Sequence, residues 1–203
     1  RDSSTSRGLG DVYKRQILDV TMMEAMGMHA LLAVGQGSIH PPCLVTIKYN
    51  GAGAAPYTAY VGKGITFDSG GISIKPSDNM GEMKDDMAGA GAVLGALRAI
   101  AALKIPCNVM GIIACAENMP SGSAQRPGDV VKAANGKTIE VISTDAEGRM
   151  VLADAVWYAC KQGAAKVVDI ATLTGGVIVA LGTETAGVVG NDDVLIRQLL
   201  SLI

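Results

Sequence analysis

Apolar residues along this chain fall into two patterns, short dense runs and longer stretches at helical spacing. The dense runs, rich in β-branched residues, predict strands over residues 43–49, 57–63, 107–116, 166–173 and 186–190. The helical spacing predicts helices over residues 17–29, 83–104, 149–162, 174–181 and 194–203. The dipeptide Asn135-Gly136 predicts a tight hairpin between residues 130–134 and 137–142.

Strands that alternate with helices predict an α/β fold, with a mixed, mostly parallel sheet flanked by helices on both faces. We expect the strand at 57–63 to run antiparallel to the strand at 43–49, since a short Gly-containing turn separates them. In the long helix, residues 88–92 read AGAGA, although glycine costs about 1 kcal/mol relative to alanine in a helix. This cost predicts that another backbone packs closely there.

Composition narrows the function classes. Hydrophobic residues make up 49% of the 203 residues and aromatic residues only 3%, which predicts an aliphatic core. The net charge of −2 gives no electrostatic reason to expect nucleic acid or a membrane surface as a partner. The longest apolar stretch, at residues 170–182, is too short to span a bilayer. The four cysteines have no CxxC spacing, so we expect reduced core thiols in a soluble cytoplasmic protein.

The most distinctive polar stretch is TDAEGR, at residues 144–149, directly before an apolar helix. Asp145 and Glu147 stand two residues apart, and in an extended segment this spacing places both carboxylates on one side. Together with Arg149, they suit a metal ion bound beside an oxyanion. The alternative is a solvated acidic turn that caps the following helix, where negative charge favours the positive end of the helix dipole.

Further charged residues collect in loops that follow predicted strands or open a helix. Lys63 and Asp68 bracket the end of one strand, Lys75 lies in the Gly-rich loop beyond it, and Asp86 opens the long helix. Taken singly, each is explained by an exposed lysine or an acidic helix start. Loops at the carboxyl ends of strands are where open α/β sheets form their sites.

Four carboxylates therefore meet in a chain with little other charge: Asp68, Asp86, Asp145 and Glu147. Such a group is strongly repulsive unless its members are solvated apart or divalent cations bind among them. His29 and His40 lie far from these loops in sequence, so a histidine-based zinc site is not expected. Carboxylates alone favour Mg²⁺ or Mn²⁺. Walker, dinucleotide-binding and nucleophile-elbow motifs are lacking in the right context.

Seen together, the motifs resemble those of the leucyl aminopeptidases, the cytosol aminopeptidases or peptidase A enzymes of peptidase family M17. The resemblance runs in order from about Ile17 to the end of the chain, through these segments: VGKGITFDSGG at 61–71, KP at 75–76, MKDDM at 83–87, NMPSG at 118–122, STDAEGR at 143–149 and DIATLTG at 169–175.

The resemblance implies two divalent metal ions, usually zinc, with manganese or magnesium able to occupy the exchangeable position. It implies these metal ligands: Lys63, Asp68, Asp86, Asp145 and Glu147. Asp68 and Glu147 would bridge the two ions. Lys63 would bind as a neutral amine, because two adjacent cations and desolvation depress its pKa. The implied use of zinc overrides the preference for Mg²⁺ or Mn²⁺ drawn from ligand type alone.

The implied function is hydrolysis of the N-terminal residue, of leucine type, from peptides with a free N-terminus, through a metal-bridged hydroxide. Lys75, kept protonated, would stabilise the developing oxyanion, and Arg149 would hold a bicarbonate that acts as the general base. The positions implied for substrate binding are Met83, Thr172, Leu173 and Gly175. Members of this family are cytoplasmic homohexamers, so the resemblance also implies a homo-oligomer and no role for nucleic acid or membrane.

The expected domain organisation follows from composition and resemblance together. Residues 1–16 are polar and lack an apolar period, which indicates a disordered leader or a translated adapter that is not native. Residues 17–40 are expected to form an interdomain helix and linker. Residues 41–203 are expected to form part of a metallopeptidase catalytic domain, without most of the N-terminal domain.

Two local features depart from the family pattern. Ser143 replaces the usual asparagine, and Asp85 adds a carboxylate next to Asp86. Two other functions stay open at this point. One is a carboxylate-dimetal phosphohydrolase, and the other is a non-catalytic relative that keeps the fold.

Overall fold

The computed structural model describes residues 13–201 and divides into two compact units, the first ending at Thr172 and the second starting at Leu173. Its strands are β1 (Tyr13–Leu18), β2 (Cys43–Asn50), β3 (Tyr57–Asp68), β4 (Asn108–Asn118), β5 (Val130–Lys132), β6 (Thr138–Glu140) and β7 (Ala164–Ile170). Its α-helices are α1 (Val20–Ala25), α2 (His29–Gly35), α3 (Ala88–Ala102), α4 (Glu147–Lys161), α5 (Gly175–Leu181) and α6 (Asp193–Leu200). Short 3₁₀ helices cover Met80–Asp85 and Thr144–Ala146.

The first unit is built on a five-stranded sheet of order β1-β2-β4-β3-β7. Strand β3 pairs in parallel with both β4 and β7, whereas β2 pairs antiparallel with β1 and β4. Four of the five strands therefore run in one direction, which confirms the mixed, mostly parallel sheet. β2 and β3 run in opposite directions as expected, but they do not pair, because β4 lies between them.

Strand β4 shows how the sheet is covered on both faces. Met110, Ile112 and Ala114 belong to the larger core cluster, which includes residues of α2 and α4. Val109 and Ile113 alternate with them and belong to a second cluster that includes residues of α3. Because successive strand residues point to opposite faces, these two clusters are the two sides of the sheet. Helices therefore cover both faces, as the sequence predicts.

The N-terminal part of the chain differs from its predicted helix at 17–29. Ile17 and Leu18 complete β1, and α1 begins only after Asp19, whose carboxylate accepts a hydrogen bond from the backbone N–H of Met22 at 2.9 Å. Gly27, with φ of +72°, then separates α1 from α2. Apolar residues over so short a segment fit the helical period of about 3.6 residues as well as the strand period of 2. Pairing with β2 makes the start of this segment a strand.

Strand β1 also includes residues 13–16 of the predicted leader, whereas residues 1–12 lie outside the described part of the chain. α2 packs into the larger core through Leu31 and Val34. The assignments of 1–16 as a leader and of 17–40 as an interdomain segment stay predictions.

The helix predicted at 83–104 begins later than expected. A 3₁₀ helix covers Met80–Asp85, and α3 starts at Ala88. Between them, the Asp86 side chain accepts hydrogen bonds from Lys63 and Thr172, which fixes the chain where a continuous helix would otherwise run. The predicted hairpin is confirmed, with β5 and β6 antiparallel and Gly136 at φ of +86°.

The second unit contains α5 and α6, each preceded by a capping side chain. Thr174 accepts from the N–H of Gly176, and Asp192 accepts from the N–H groups of Val194 and Leu195. The strand predicted at 186–190 is not formed: among the described residues no strand pairs with this segment, and Val189 is 98% exposed. None of the helices in the described residues has the length and apolar character needed to cross a membrane.

The cysteines are free thiols, as expected, but they are not all core residues. Cys43, Cys107 and Cys115 are half-buried, and Cys160 is exposed near the end of α4. The prediction of four core thiols is therefore wrong for Cys160. Cys160 has apolar neighbours in the sequence, but it lies on the solvent side of α4, so those neighbours do not bury it.

A buried carboxylate ties α4 to the rest of the first unit. Asp154 accepts hydrogen bonds from the N–H of Leu31 at 2.9 Å and from the N–H of Ala134 at 2.8 Å. Burial raises the pKa of this carboxyl group, and the backbone donors oppose that rise. These bonds fix α4 relative to α2 and the hairpin, and α4 carries Glu147 at its first position.

The glycines of α3 confirm the expected close approach of another backbone. A Cβ added at Gly89 would lie 2.0 Å from the carbonyl oxygen of Ile170 and 3.1 Å from the backbone nitrogen of Lys63. A Cβ added at Gly62 would lie 2.7 Å from the Cα of Ala90. α3 therefore sits directly on β3 and β7, and this contact positions the loop that carries Asp86.

We predict that Gly89→Ala lowers the free energy of unfolding of the chain by about 2 kcal/mol or more, since backbone atoms cannot yield to the new methyl group. Gly95→Ala is the matched control, because it lies in the same helix and a Cβ there would meet nothing within 4 Å. It should raise the free energy of unfolding by about 0.5–1 kcal/mol. Urea unfolding measures both, and equal shifts in the same direction would contradict the close-packing account.

Candidate metal centre

The predicted site residues meet at the carboxyl ends of β3 and β4. Asp68 ends β3 and is paired in register with Asn118, which ends β4. A register shift between Ile65 and Phe67 breaks the regular ladder shortly before Asp68. The 3₁₀ helix before Asp86 and the start of α4 at Glu147 bring two more carboxylates to the same edge.

Three carboxylates form the centre of this cluster. Asp68, Asp86 and Glu147 each place one oxygen so that all three oxygens lie within 4.8 Å of one another. All three residues are buried, with exposed fractions of 2%, 7% and 2%. It is the only group of its kind among the described residues, and no histidine belongs to it.

Lys63 supplies positive charge inside the cluster. Its Nζ lies 2.8 Å from Oδ1 of Asp86 and 2.7 Å from Oε1 of Glu147, and the lysine is 2% exposed. Burial lowers the pKa of Lys63, but the charges and hydrogen bonds of the two carboxylates outweigh this and raise the pKa above its ordinary value. Its Nζ also donates to the carbonyl oxygen of Thr172 at 3.0 Å.

The first turn of α4 leaves room for this lysine. A Cβ added at Gly148 would lie 2.9 Å from Cε and 3.0 Å from Nζ of Lys63. Only a residue without a side chain allows the amine to lie against the helix at this point. Gly148 stands between two predicted site residues, and its contact with Lys63 becomes visible only in the fold.

Lys75 forms a second bridge between carboxylates. Its Nζ lies 2.9 Å from Oδ2 of Asp68 and 2.6 Å from Oδ1 of Asp145. Partial burial lowers the pKa of Lys75, but hydrogen bonds and charge from Asp145 and Asp68 outweigh that effect and raise it. The side chain is 22% exposed, so the ammonium group stands between the buried cluster and solvent.

Burial makes two carboxyl groups of the cluster, those of Glu147 and Asp86, easier to protonate. It raises the pKa of Glu147 to about 7, with Lys63 opposing the rise and Asp68 adding to it. Burial also raises the pKa of Asp86, although hydrogen bonds from Lys63 and Thr172 oppose this. The hydroxyl of Thr172 donates to Oδ1 of Asp86 at 2.7 Å, so Thr172 contacts a predicted ligand directly.

A layer of polar groups behind the cluster holds Asp68 in place. Oδ1 of Asp68 accepts from Nδ2 of Asn118 at 2.8 Å and from the N–H of Gly70 at 2.9 Å. The hydroxyl of Thr144 donates to the carbonyl oxygen of Gly70 at 2.6 Å and accepts from the N–H of Ser73 at 2.8 Å. Asn118 and Thr144 lie within motifs recognised in the sequence, but only the fold reveals their contacts.

Asp145 and Glu147 reach the site by a different route from the one expected. Residues 144–146 form a 3₁₀ helix and Glu147 opens α4, so the two side chains do not share one side of an extended segment. Asp145 turns to Lys75, whereas Glu147 turns inward to Lys63. A solvated capping turn is wrong for Glu147, because that side chain is buried. Ser143 caps the 3₁₀ helix by accepting from the N–H of Asp145 at 3.3 Å.

The other predicted residues are less enclosed. Arg149 is exposed, and its side chain has no hydrogen bond or ion pair with the described residues. Met83 is half-buried in the 3₁₀ helix ahead of Asp86, and Asp85 is exposed beside it. Leu173 and Gly175 belong to the second unit.

Two orphaned atoms test whether the cluster fits a metal. Oδ2 of Asp86 and Oε2 of Glu147 are buried and have no hydrogen-bond partner among the described residues. A buried carboxylate oxygen left unpaired is costly, and a cation would satisfy it. Hard carboxylate oxygens, with an amine beside them, are a donor set that divalent cations accept. The residues present therefore fit a divalent metal.

The chain matches the family model described as the cytosol aminopeptidase family, catalytic domain, over residues 3–202. It is 53% identical over 201 residues to a probable cytosol aminopeptidase of Pseudomonas fluorescens, covering 97% of this chain and 40% of that protein. It is 55% identical over 192 residues to a probable cytosol aminopeptidase of Azotobacter vinelandii, covering 94% and 38%. A cytosol aminopeptidase of Pseudomonas aeruginosa is 52% identical over 200 residues, covering 96% and 40%. The chain thus spans about 40% of the length of the curated relatives it matches.

We predict that Gly148→Ala weakens binding of Mn²⁺ or Zn²⁺ by about 10- to 100-fold, the effect typical of losing support around a metal ligand. The free energy of unfolding should also fall, because the new methyl group would displace the buried Lys63 amine from Asp86 and Glu147. Titration calorimetry measures the affinity, and Gly95→Ala, also a helical glycine, is the control that should bind normally. Unchanged affinity in Gly148→Ala would contradict a role for Lys63 in the centre.

Proposed function

This chain belongs to the cytosol aminopeptidase family, and on that basis we propose that it is part of a metal-dependent exopeptidase. The reaction is removal of the N-terminal residue, with leucine-type preference, from peptides with a free N-terminus. The observation that carries the proposal is the pair of buried, unpartnered oxygens on Asp86 and Glu147, inside a cluster that already holds two lysines. Such a cluster is costly for folding alone, which supports a role in binding cations.

The proposed ligands are those implied by the family motifs: Lys63, Asp68, Asp86, Asp145 and Glu147. They would hold two divalent ions, zinc with manganese or magnesium as an alternative. When bound, such ions polarise a carbonyl group and lower the pKa of a water molecule. One buried oxygen each of Asp86 and Glu147 has no hydrogen-bond partner among the described residues and is available as a ligand atom, and Asp145 lies at the more exposed side of the cluster.

Lys63 has to lose a proton to act as a ligand. Its ammonium group is held by Asp86 and Glu147, which raise its pKa. If Asp86 and Glu147 held divalent cations, the surroundings of Lys63 would favour its neutral amine, because burial and adjacent positive charge both oppose protonation. Gly148 then keeps the space in which the amine lies against α4.

Lys75 and Arg149 are the proposed catalytic residues. The Lys75 side chain is 22% exposed, so water can solvate its protonated Nζ when Asp68 and Asp145 act as ligands, and the ammonium can face a substrate oxygen on which negative charge develops. Arg149 presents an exposed guanidinium without an ion-pair partner among the described residues. A planar guanidinium binds a planar oxyanion through two hydrogen bonds, which suits bicarbonate held as the general base.

Substrate contacts are proposed at Met83, Thr172, Leu173 and Gly175. Thr172 has support from its position, because its hydroxyl and its carbonyl oxygen contact Asp86 and Lys63. Met83 offers a half-buried apolar surface in the helical turn before Asp86, which suits an aliphatic side chain. The roles of Leu173 and Gly175 rest on the family resemblance alone.

Assembly and location are proposed from the same relationship. Relatives bear the name cytosol aminopeptidase, and we expect this chain to act in the cytoplasm. The resemblance also supports a homohexamer.

The activity is best measured in a chimera, since the chain spans about 40% of its relatives. Residues 17–203 replace the corresponding segment of the Pseudomonas aeruginosa cytosol aminopeptidase, and hydrolysis of leucine p-nitroanilide is followed. We predict a metal-dependent activity that falls at least about 100-fold in Glu147→Gln and in Asp86→Asn, because each loses a buried ligand oxygen.

Asp85→Asn is the matched control, because it removes an exposed carboxylate directly beside Asp86 and should leave the rate unchanged. Retention of full activity in both ligand variants would contradict the proposal. Hydrolysis of an aryl phosphate in place of the anilide would favour a phosphohydrolase.

A further inference from the structure

Cys43 and Cys115 lie opposite each other on the adjacent strands β2 and β4. They are the first register pair of the antiparallel β2–β4 ladder, Cys43 at the start of β2 and Cys115 near the end of β4. The alternation of β4 puts Cys115 on the face covered by α3, together with Ile113. Val45 marks the same face of β2, so Cys43 also points there. Both thiols therefore lie on one face of the sheet.

The spacing of such a pair suits a covalent link. Residues directly opposite each other in an antiparallel ladder have Cα atoms about 4.5–5.5 Å apart. A disulfide needs Cα atoms about 4.4–6.8 Å apart. The typical spacing of a register pair therefore falls within the range that a disulfide needs, and both side chains start from the same face of the ladder.

The two thiols are unequal in chemistry, and both are only half-buried. A hydrogen bond from Cys115 lowers the pKa of Cys43 to about 7, although burial opposes this shift. The same hydrogen bond, with burial, raises the pKa of Cys115. Cys43 is thus the more nucleophilic partner at neutral pH, and Cys115 keeps its proton.

We propose that Cys43 and Cys115 form a reversible disulfide when the chain meets a hydroperoxide. The Cys43 thiolate attacks the terminal peroxide oxygen, the O–O bond breaks, and Cys43 becomes a sulfenic acid as an alkoxide leaves, or hydroxide when the oxidant is hydrogen peroxide. The Cys115 sulfur then attacks the sulfenic sulfur, the S–O bond breaks, and water leaves with the Cys115 proton. Two thiols are oxidised by two electrons, and one peroxide is reduced.

The other cysteines are badly placed to compete. Cys107 precedes β4, at the opposite end of that strand from Cys115. Cys160 lies on α4, which covers the other face of the sheet. The resulting link would join β2 to β4 three residues before Asn118, whose side chain holds Asp68.

The test is peptide mapping of the intact chain after treatment with hydrogen peroxide. The reduced chain is exposed to peroxide, free thiols are blocked with iodoacetamide, and a non-reducing digest is analysed by mass spectrometry. We expect a cross-linked peptide containing Cys43 and Cys115, loss of two of the four free thiols, and recovery of both on addition of dithiothreitol.

Variants define the order of the steps. Cys107→Ser and Cys160→Ser should keep the cross-link, and Cys43→Ser should abolish it. In Cys115→Ser, Cys43 should accumulate as a sulfenic acid that dimedone traps. The proposal is overturned if the unsubstituted chain yields sulfinic acid at Cys43 without a cross-link, or if either cysteine pairs with Cys107 or Cys160. This mapping needs no substitution, so a variant that fails to fold leaves the main result intact.

Discussion

Three buried carboxylates within 4.8 Å of one another impose the constraint on which the rest of this structure depends. Negative charge at that density is tolerated in a protein interior only beside positive charge. Lys63 and Lys75 supply it through three contacts of 2.7–2.9 Å with these carboxylates, and two carboxylate oxygens still have no hydrogen-bond partner among the described residues. Such an arrangement is expensive for stability and useful for binding cations, which supports the proposal that the cluster binds metal.

The fold brings these groups together through close backbone contacts. Parallel pairing of β3 with β4 sets Asp68 beside Asn118, and the contact of Gly89 with Ile170 and Lys63 seats α3 on the sheet. Gly148 admits Lys63 against α4. The site thus depends on glycines as well as on charged residues, because Gly89 and Gly148 each allow a close contact that a side chain would block.

Part of this organisation is readable in the sequence. The fold class, the hairpin and the close packing at residues 88–92 follow from local patterns and are confirmed. The opposite directions of β2 and β3 are confirmed, although β4 lies between them. The continuous helix at 17–29 and the strand at 186–190 are wrong, because each depends on which strand becomes a neighbour. For the same reason, motifs pointed to the charged residues, but the contacts of Asn118 and Thr144 with Asp68 and Gly70 needed the fold. The ligand roles themselves stay predictions.

Anomalous diffraction from crystals of the chain grown with Zn²⁺ or Mn²⁺ is the most direct test of whether Asp68, Asp86 and Glu147 bind divalent metal ions. It locates the ions without relying on activity or on the remainder of a larger enzyme. We predict two anomalous peaks within coordination distance of the carboxylates of Asp68, Asp86 and Glu147, with Lys63 beside one of them. Peaks only at exposed acidic residues or cysteines, with none at these three carboxylates, would contradict this prediction.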